Sequence, residues 1–196
     1  LVYLTSVLMI TLGALAEPII IVLIGEKWRA SIVLLQMLSI IGLLYPLADF
    51  NLTVLKIVGN SSLILKLEII KRILSIPIIV IGIVLGINYL LLGIIVLTII
   101  EVLVNGYYSG RYISYDLKEQ IKYNLPSILL AFIVGAGIYF FSKYINISYA
   151  ANLSVSLILA AMMILGLSEI FQNKGYLNVK QTLLSGIIRR PNGDRF

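Results

Sequence analysis

The stretch that decides the fold is ILSIPIIVIGIVLGINYLLLGIIVLTII, residues 73–100, in which two apolar runs meet at an uncharged turn at residues 86–88. An α-helix needs about 20 apolar residues to cross the hydrocarbon of a bilayer. The stretch therefore predicts a helical hairpin within a membrane, whose turn carries no charge.

Apolar runs of similar length lie along the whole chain, at about residues 2–24, 32–55, 63–87, 89–108, 125–144 and 147–171. Of the 196 residues, 60% are hydrophobic and 12% are charged, and the mean hydropathy is +1.06. A water-soluble domain of this size could not hide so much apolar surface in one core. The expected fold class is an all-α polytopic membrane protein with six transmembrane helices. The third run begins among Lys66, Glu68, Lys71 and Arg72, which predicts a long helix emerging from the membrane surface.

The basic residues are distributed unevenly between the two sides of this predicted bundle. Only Lys27, Arg29 and Lys143 lie on one side, while the other twelve of the fifteen lie in alternate gaps and in the tail. Because cytoplasmic loops are enriched in Lys and Arg, both ends of the chain are predicted to be cytoplasmic. The net charge of +6 is explained by anionic lipid headgroups and does not indicate a nucleic-acid partner. The twelve are Lys56, Lys66, Lys71, Arg72, Arg111, Lys118, Lys122, Lys174, Lys180, Arg189, Arg190 and Arg195.

Cysteine and histidine are both absent from the chain. This excludes disulfides, thiolate or imidazole metal sites, cysteine nucleophiles and histidine acid–base catalysis. The connections between the runs are short and leave no room for an inserted catalytic domain. We therefore expect no enzyme activity, no catalytic residue, no metal site and no cofactor.

The domain organisation is predicted as a helical bundle over residues 1–171 and a cytoplasmic interfacial tail over residues 172–196. In the tail, Val179, Leu183 and Ile187 recur at helical spacing beside basic residues, as in a helix lying on a membrane surface. The same pattern predicts a surface helix over residues 110–123. The chain opens with Leu1 inside an apolar run and lacks the features of a signal peptide, which suggests the later part of a longer protein.

Polar residues recur at helical spacing within two of the runs, and ionisable groups at membrane depth tend to face a protein interior or a watery cavity. Two such stripes predict a shared aqueous cleft. Snorkelling or local pairing is the alternative for each residue. The second run contributes Tyr45, Asp49, Thr53 and Lys56, and the fourth Thr98, Glu101, Asn105 and Tyr108.

Candidate residues for a function follow from these patterns. Lys66, Lys71 and Arg72 have the charge to hold a phosphate or pyrophosphate, although positive-inside anchoring explains them equally well. Lys56 is the strongest single candidate for such a contact and Arg72 the next, with Tyr45 and Asn105 as polar neighbours. The acids Glu101, Asp49 and Glu17 are candidates for ion coupling, and for Glu17 structural pairing is the favoured interpretation.

Small residues and prolines are the remaining features of the runs. Gly82 and Gly86 form a GxxxG pattern, and the fifth run contains Ala131, Gly135 and Gly137, which predicts close helix packing. Pro46 and Pro77 lie inside runs, where each removes a backbone hydrogen bond and can kink a helix.

Several stretches carry a family resemblance: AEPIIIVLIGEKW at residues 16–28, SIVLLQMLSIIGLLYPL at 31–47, NLTVLKIVGNSSLILKLEIIKR at 51–72, GINYLLLG at 86–93 and DLKEQIKYNLPSILLA at 116–131. Their order and spacing resemble the polysaccharide-transporter branch of the multidrug/oligosaccharidyl-lipid/polysaccharide flippase superfamily, the Wzx-like lipopolysaccharide and capsule exporters. The resemblance covers most of the chain.

The resemblance implies a two-lobed helical bundle with a central cavity that opens alternately to each side of the membrane. This chain would supply most of the second lobe plus two terminal helices, and alone it should not transport. The implied substrate is an undecaprenyl-pyrophosphate-linked oligosaccharide in the bacterial inner membrane, and the implied neighbours are a polysaccharide polymerase and glycosyltransferases. Two alternatives stay open: a cation-coupled drug or small-molecule exporter of the same fold, and a membrane-embedded enzyme of polysaccharide synthesis.

Overall fold

The computed structural model describes residues 1–113, 115–145, 147–170, 176–177 and 180–181. Within these ranges the chain is helical apart from short connections, and it forms no strand, which confirms the expected all-α class. A single 3₁₀ turn, Glu26–Trp28, joins α2 to α3. The helices are α1 Val2–Ala14, α2 Ala16–Leu23, α3 Ser31–Val58, α4 Ser61–Leu85, α5 Ile87–Ile113, α6 Leu117–Tyr144 and α7 Tyr149–Ile170.

Four of the described helices, α3, α5, α6 and α7, are long and apolar enough to cross a membrane. The pair α1 and α2 would make a fifth crossing if the two helices together formed one broken span. A multi-pass membrane protein is therefore supported, but six spans are not. The difference from the sequence prediction lies in the first and third runs.

The first run was expected to be one helix over residues 2–24, and this expectation is wrong. The helix stops at Leu15, and α2 leaves it at an angle of 67°. Pro18 lies in the first turn of α2, where a proline is tolerated because that turn has no helical acceptor for its missing N–H. A continuous helix would have placed the same proline in its interior, which is the position that breaks helices.

The third run forms a continuous helix, α4, that continues through Pro77, as α3 continues through Pro46. The first half of α4 carries Lys66, Glu68, Lys71 and Arg72. Its uninterrupted apolar part begins at Ile73 and covers only about 20 Å at 1.5 Å per residue. This length is shorter than the ~30 Å hydrocarbon layer, and α4 is not among the described helices that are long and apolar enough to cross a membrane.

Consecutive long helices run antiparallel, so their connections collect at two opposite ends of the bundle. At one end, α3 and α5 finish side by side, with Asn51 bonded to Ser109, and Tyr3 of α1 bonds Ser168 near the end of α7. At the other end, Arg29 before α3 bonds Tyr149 at the start of α7. The loops at the first end are the ones that carry most of the basic residues.

Close packing between helices depends on small residues. The core around α1, α2, α6 and α7 contains Leu15, Leu130, Val134, Ile138 and Ala160. A Cβ built on Gly135 of α6 would lie 2.3 Å from Cγ2 of Ile10 on α1. Similarly, a Cβ on Gly82 of α4 would lie 2.6 Å from Cβ of Leu90 on α5. These contacts agree with the packing role predicted for both glycines.

The second glycine of the GxxxG pattern has a different role. Gly86 has a φ of 104° and ends α4, and α5 begins at the next residue. A side chain is strained in this left-handed region. The glycine therefore permits the tight turn of the hairpin.

No separate surface helix forms over residues 110–123. This segment is divided between the end of α5 and the first turns of α6, where Gly110 lies close to the backbone of Tyr115 and Asp116. Most of the predicted interfacial tail, residues 172–196, lies outside the described residues. Of those described, Tyr176 donates to a carboxylate oxygen of Glu169 at 3.0 Å, and Lys180 also pairs with Glu169.

Candidate functional site: a charged groove between two helices

A groove with a volume of about 390 Å³ lies between α4 and α5. Its walls are mostly aliphatic, and its outer edges, such as Ile70 and Leu103, are about half exposed. The groove is therefore open sideways, away from the rest of the described bundle. It is lined by Leu67, Glu68, Ile70, Lys71, Leu74, Leu97, Ile100, Glu101, Leu103, Val104, Asn105, Tyr107 and Tyr108.

The charged lining of the groove is an ion-pair cluster of Glu68, Lys71 and Glu101. The Lys71 ammonium lies 3.3 Å from a carboxylate oxygen of Glu101 and 3.6 Å from one of Glu68. The side chain of Glu101 is 19% exposed and those of Lys71 and Glu68 are each 33% exposed. Two carboxylates thus face one ammonium, which leaves the cluster with one negative charge in excess.

The cluster lies along the middle of α4 and α5, between the Gly59 connection and the Gly86 turn on α4. Lys71 and Glu101 are each about 22 Å from Gly86 along their helices at 1.5 Å per residue, and Lys71 is about 18 Å from Gly59. The hydrocarbon of a bilayer is about 30 Å thick. The distance from Gly86 to the cluster is shorter than this thickness, and pairing offsets part of the cost of any charge that lies within hydrocarbon.

Behind the groove, polar side chains join α5 to α3. The Ser109 hydroxyl donates to Oδ1 of Asn51 at 2.6 Å, and Nδ2 of Asn51 donates to the Leu47 carbonyl at 2.9 Å. Both side chains are fully buried. Asn105 donates to the Ala48 carbonyl at 3.4 Å. These bonds fix the rotation of α5, so that Glu101 faces α4 rather than α3.

The two polar stripes predicted from the sequence do not meet in this groove. From the α5 stripe, Glu101, Asn105 and Tyr108 line it, whereas Thr98 is buried and donates to its own helix at the Ile94 carbonyl. The α3 stripe lies elsewhere: Tyr45 is 61% exposed, and Asp49, Thr53 and Lys56 are also exposed outside the groove. The polar side of α5 that carries Glu101 faces α4 and not α3.

Glu68 is the one charged residue lining the groove, among those described, that the sequence did not indicate as a candidate for substrate binding or ion coupling. Its spacing from Lys71 is i, i+3, at which opposite charges face each other on one side of a helix. That signal was present in the sequence. The sequence did not indicate that Glu101, 33 positions from Glu68, would lie beside the same lysine, because that contact depends on how α4 and α5 pack.

The remaining basic candidates have no counter-ion among the described residues. Lys56, Lys66 and Arg72 are exposed, and none of them forms an ion pair with another described residue. Lys56 lies near the end of α3 and Lys66 near the start of α4, on either side of the Gly59 connection. These side chains differ from Lys71, whose charge is already balanced by Glu68 and Glu101.

Glu17, a candidate for ion coupling, belongs to a second polar cluster at the opposite end of the bundle. The Arg29 guanidinium donates to Glu17 at 2.9 Å, to Glu26 at 2.6 Å and to the Tyr149 hydroxyl at 3.0 Å. Hydrogen bonds to Glu26 and Tyr149 raise the pKa of Arg29 above its ordinary value. The structural pairing favoured for Glu17 is thus present, and it links α2 to the start of α7.

The described residues contain no group of three or more acidic side chains placed to hold a metal ion. Comparison of the chain with protein-family models, curated proteins and solved structures found no match.

Proposed function

We propose that this chain is part of a flippase that moves a lipid-linked oligosaccharide across the bacterial inner membrane for surface polysaccharide synthesis. The substrate would be of the undecaprenyl-pyrophosphate type, supplied by glycosyltransferases and consumed by a polysaccharide polymerase. The observation that carries the proposal is a set of exposed basic side chains that form no ion pair within the part of the chain that the structure describes, Lys56, Lys66 and Arg72. The family resemblance of residues 51–72, which contain all three, supports it.

The proposed mechanism is alternating access. A cationic, water-filled cleft accepts the pyrophosphate and sugars while the polyprenyl tail stays in lipid, and two lobes rock to expose the headgroup on the far side. An unpaired diphosphate in a low-dielectric interior would be prohibitive in energy, so basic side chains must accompany it. Lys56 and Arg72 have free charges for this purpose. Substrate binding by Lys71 and Asn105 stays a prediction. The two carboxylates beside Lys71 weaken its attraction for an anion.

Loss of surface polysaccharide is the expected result when Lys56 and Arg72 are both replaced by alanine in the full-length protein. The double variant would be expressed in a strain that lacks the flippase gene, and surface polysaccharide would be quantified by gel and immunoblot. We expect a loss of about tenfold or more, because each removed charge contributes a charge-assisted hydrogen bond. Lys27→Ala is the matched control, since Lys27 is an exposed lysine at the opposite end of the bundle. Normal export by the double variant at wild-type protein levels would refute these contacts.

The same assay addresses ion coupling through Glu101, Asp49 and Glu17. Amide variants of these acids remove the charge and retain the shape, so export should fall if any of them carries a driving ion. Glu119→Gln in the exposed first turn of α6 is the control. Unchanged export by all three amide variants would remove ion coupling through these residues from the mechanism.

The proposed orientation has six spans and places both ends of the chain in the cytoplasm, in line with the positive-inside rule. The absence of cysteine allows single-cysteine labelling without background. A membrane-impermeant maleimide added to intact spheroplasts should label Tyr144→Cys and Lys27→Cys, and it should label Lys118→Cys only after lysis. Labelling of Lys118→Cys in intact spheroplasts would invert the orientation.

A further inference from the structure

The helices α4 and α5 run side by side over their whole length, in an even register. In each of four contacts spread along this hairpin, the two residues lie the same number of positions from Gly86, to within one. Both helices rise 1.5 Å per residue, so each turn of α4 lies level with a turn of α5. The helix α4 therefore lies at the same depth as α5 in any membrane that α5 crosses. The contacts are Gly82 with Leu90 and Gly93 with Ile78, where a Cβ built on the glycine would lie 2.6 and 2.5 Å from the neighbouring side chain, Lys71 with Glu101 at 3.3 Å, and Asn60 with Tyr112 at 2.7 Å.

Charge is what distinguishes α4 from α5. The helix α5 is long and apolar enough to cross a membrane, and α4 does not meet that description. Length is not the obstacle, because α4 has 25 residues and about 20 suffice to cross hydrocarbon. Its first half, however, carries Lys66, Glu68, Lys71 and Arg72, and ionised side chains are costly at membrane depth. The hairpin thus joins one helix that can span a membrane alone to one that cannot.

The ion pair between the two helices reduces this cost for both of them. Glu101 is the only acidic residue of α5, and its counter-ion, Lys71, comes from α4. Opposite charges attract more strongly in a medium of low dielectric constant than in water, whereas a charge whose partner is removed is left uncompensated. Each of the two charges is therefore less costly in hydrocarbon beside the other than alone.

Two further cations of α4 do not take part in this pair. Lys66 lies in the second turn of α4, near the Gly59 connection, where a long side chain can extend to the headgroups. Arg72 is exposed and does not line the groove, and the proposed function places it in a water-filled cleft. Neither side chain requires a partner inside hydrocarbon. The pair of Lys71 with Glu101 is thus the contact on which the entry of α4 depends.

We propose that α4 is a dependent transmembrane span: it crosses the membrane as a hairpin with α5, and its crossing requires the ion pair of Lys71 with Glu101. Both are positioning residues in this hypothesis, because they hold α4 beside α5 and need not contact a substrate. The inference rests on the six spans of the proposed function, but it holds for any transported molecule.

Single cysteines at the two ends of α4 test whether this helix crosses. Ser61 begins α4 and Asn88 follows the Gly86 turn, and both are exposed. Each would be replaced by cysteine in the full-length protein with other cysteines removed, and labelled with a membrane-impermeant maleimide before and after lysis of spheroplasts. We expect the two cysteines on opposite sides of the membrane, and finding both on one side would overturn the proposal. An inverted bundle would exchange the two sides and keep them opposite, so a wrong orientation is distinguishable from a failure of this inference.

Charge-reversal variants test whether the crossing depends on the ion pair. Lys71→Glu leaves three acids without a cation, and Glu101→Lys places two cations side by side. Each should lower the fraction of Asn88→Cys on its wild-type side by about tenfold or more, because one unpaired charge at membrane depth reduces insertion by at least that factor. The double variant Lys71→Glu/Glu101→Lys restores an ion pair of opposite polarity and should label as wild type. Arg72→Glu is the matched control, because it makes the same charge change at the next residue, which pairs with no described acid, and it should leave the labelling unchanged.

Three results would contradict the dependence on the pair. Wild-type labelling of Asn88→Cys in both single variants would show that α4 crosses without it. An equal loss of labelling in Lys71→Glu and Arg72→Glu would show that the composition of α4 alone controls its insertion. A double variant as defective as the single variants would refute the pairing. A short pulse of expression reads insertion before a misfolded variant is degraded, and the labelled fraction is normalised to the total after lysis.

Discussion

Replacement of Gly135 by leucine is expected to separate α1 from α6 and to lower the thermal stability of the protein. A Cβ at this position would lie 2.3 Å from Cγ2 of Ile10 and 3.6 Å from its carbonyl oxygen. The Cγ2 atom belongs to a β-branched side chain whose χ1 is restricted in a helix, so it cannot swing aside easily. Overpacking of this kind costs about 1–3 kcal/mol, occasionally more.

The measurement is fluorescence-detected size-exclusion chromatography after heating, with the full-length protein in detergent. Gly166→Leu in α7 is the control, because nothing lies within 4 Å of a Cβ built on Gly166 and leucine is the better helix former. The control should match or slightly exceed wild-type stability. Equal melting of the two variants would show that α1 and α6 do not approach as closely as described.

Replacement of Asn51 by leucine should destabilise the contact between α3 and α5 by about 1–2 kcal/mol. Asn51 is fully buried and bonds both Ser109 and the Leu47 carbonyl. In lipid, side-chain hydrogen bonds between helices are among the main forces that hold helices together. The Leu47 carbonyl and the Ser109 hydroxyl would each lose a partner.

A double-mutant cycle with Asn51→Ala and Ser109→Ala isolates the bond between the two side chains. We expect a coupling energy of about 0.6 kcal/mol, the average measured for such bonds in membranes. Ser154→Ala is the control, since exposed Ser154 donates only to the carbonyl of Ala150 in its own helix. Additive effects of the Asn51 and Ser109 variants would mean that the two side chains do not interact.

The contact between Asn51 and Ser109 also explains why the cleft predicted between α3 and α5 differs from the groove observed between α4 and α5. Helical spacing showed correctly that Glu101, Asn105 and Tyr108 share one side of α5, and all three line the groove. It could not show which helix that side meets. Asn51 bonds Ser109 and lies against Gly106, and these contacts orient α5. Both pairs lie too far apart in the chain for any local pattern to reveal.

The break at Leu15 is a case in which a local signal was present but ambiguous. Pro18 lies within the first run, as Pro46 and Pro77 lie within the second and third. The structure places Pro18 in the first turn of a new helix, whereas Pro46 and Pro77 lie inside continuous helices. Proline weakens a helix when it lies in the interior, and the packing around each site decides whether such a helix bends, breaks or continues.

By itself, the sequence determined the helical class, the length and apolar character that would let α3, α5, α6 and α7 cross a membrane, and the concentration of basic residues in alternate connections. These properties follow from hydropathy, chain length and charge, which are local and additive along the chain. Only the tertiary structure decided that Lys71 pairs with Glu68 and Glu101, while Lys56, Lys66 and Arg72 pair with no acid among the described residues. The reason is that the interaction of charges depends on their distance in space, and that distance is set by how helices remote in sequence rotate and pack against one another.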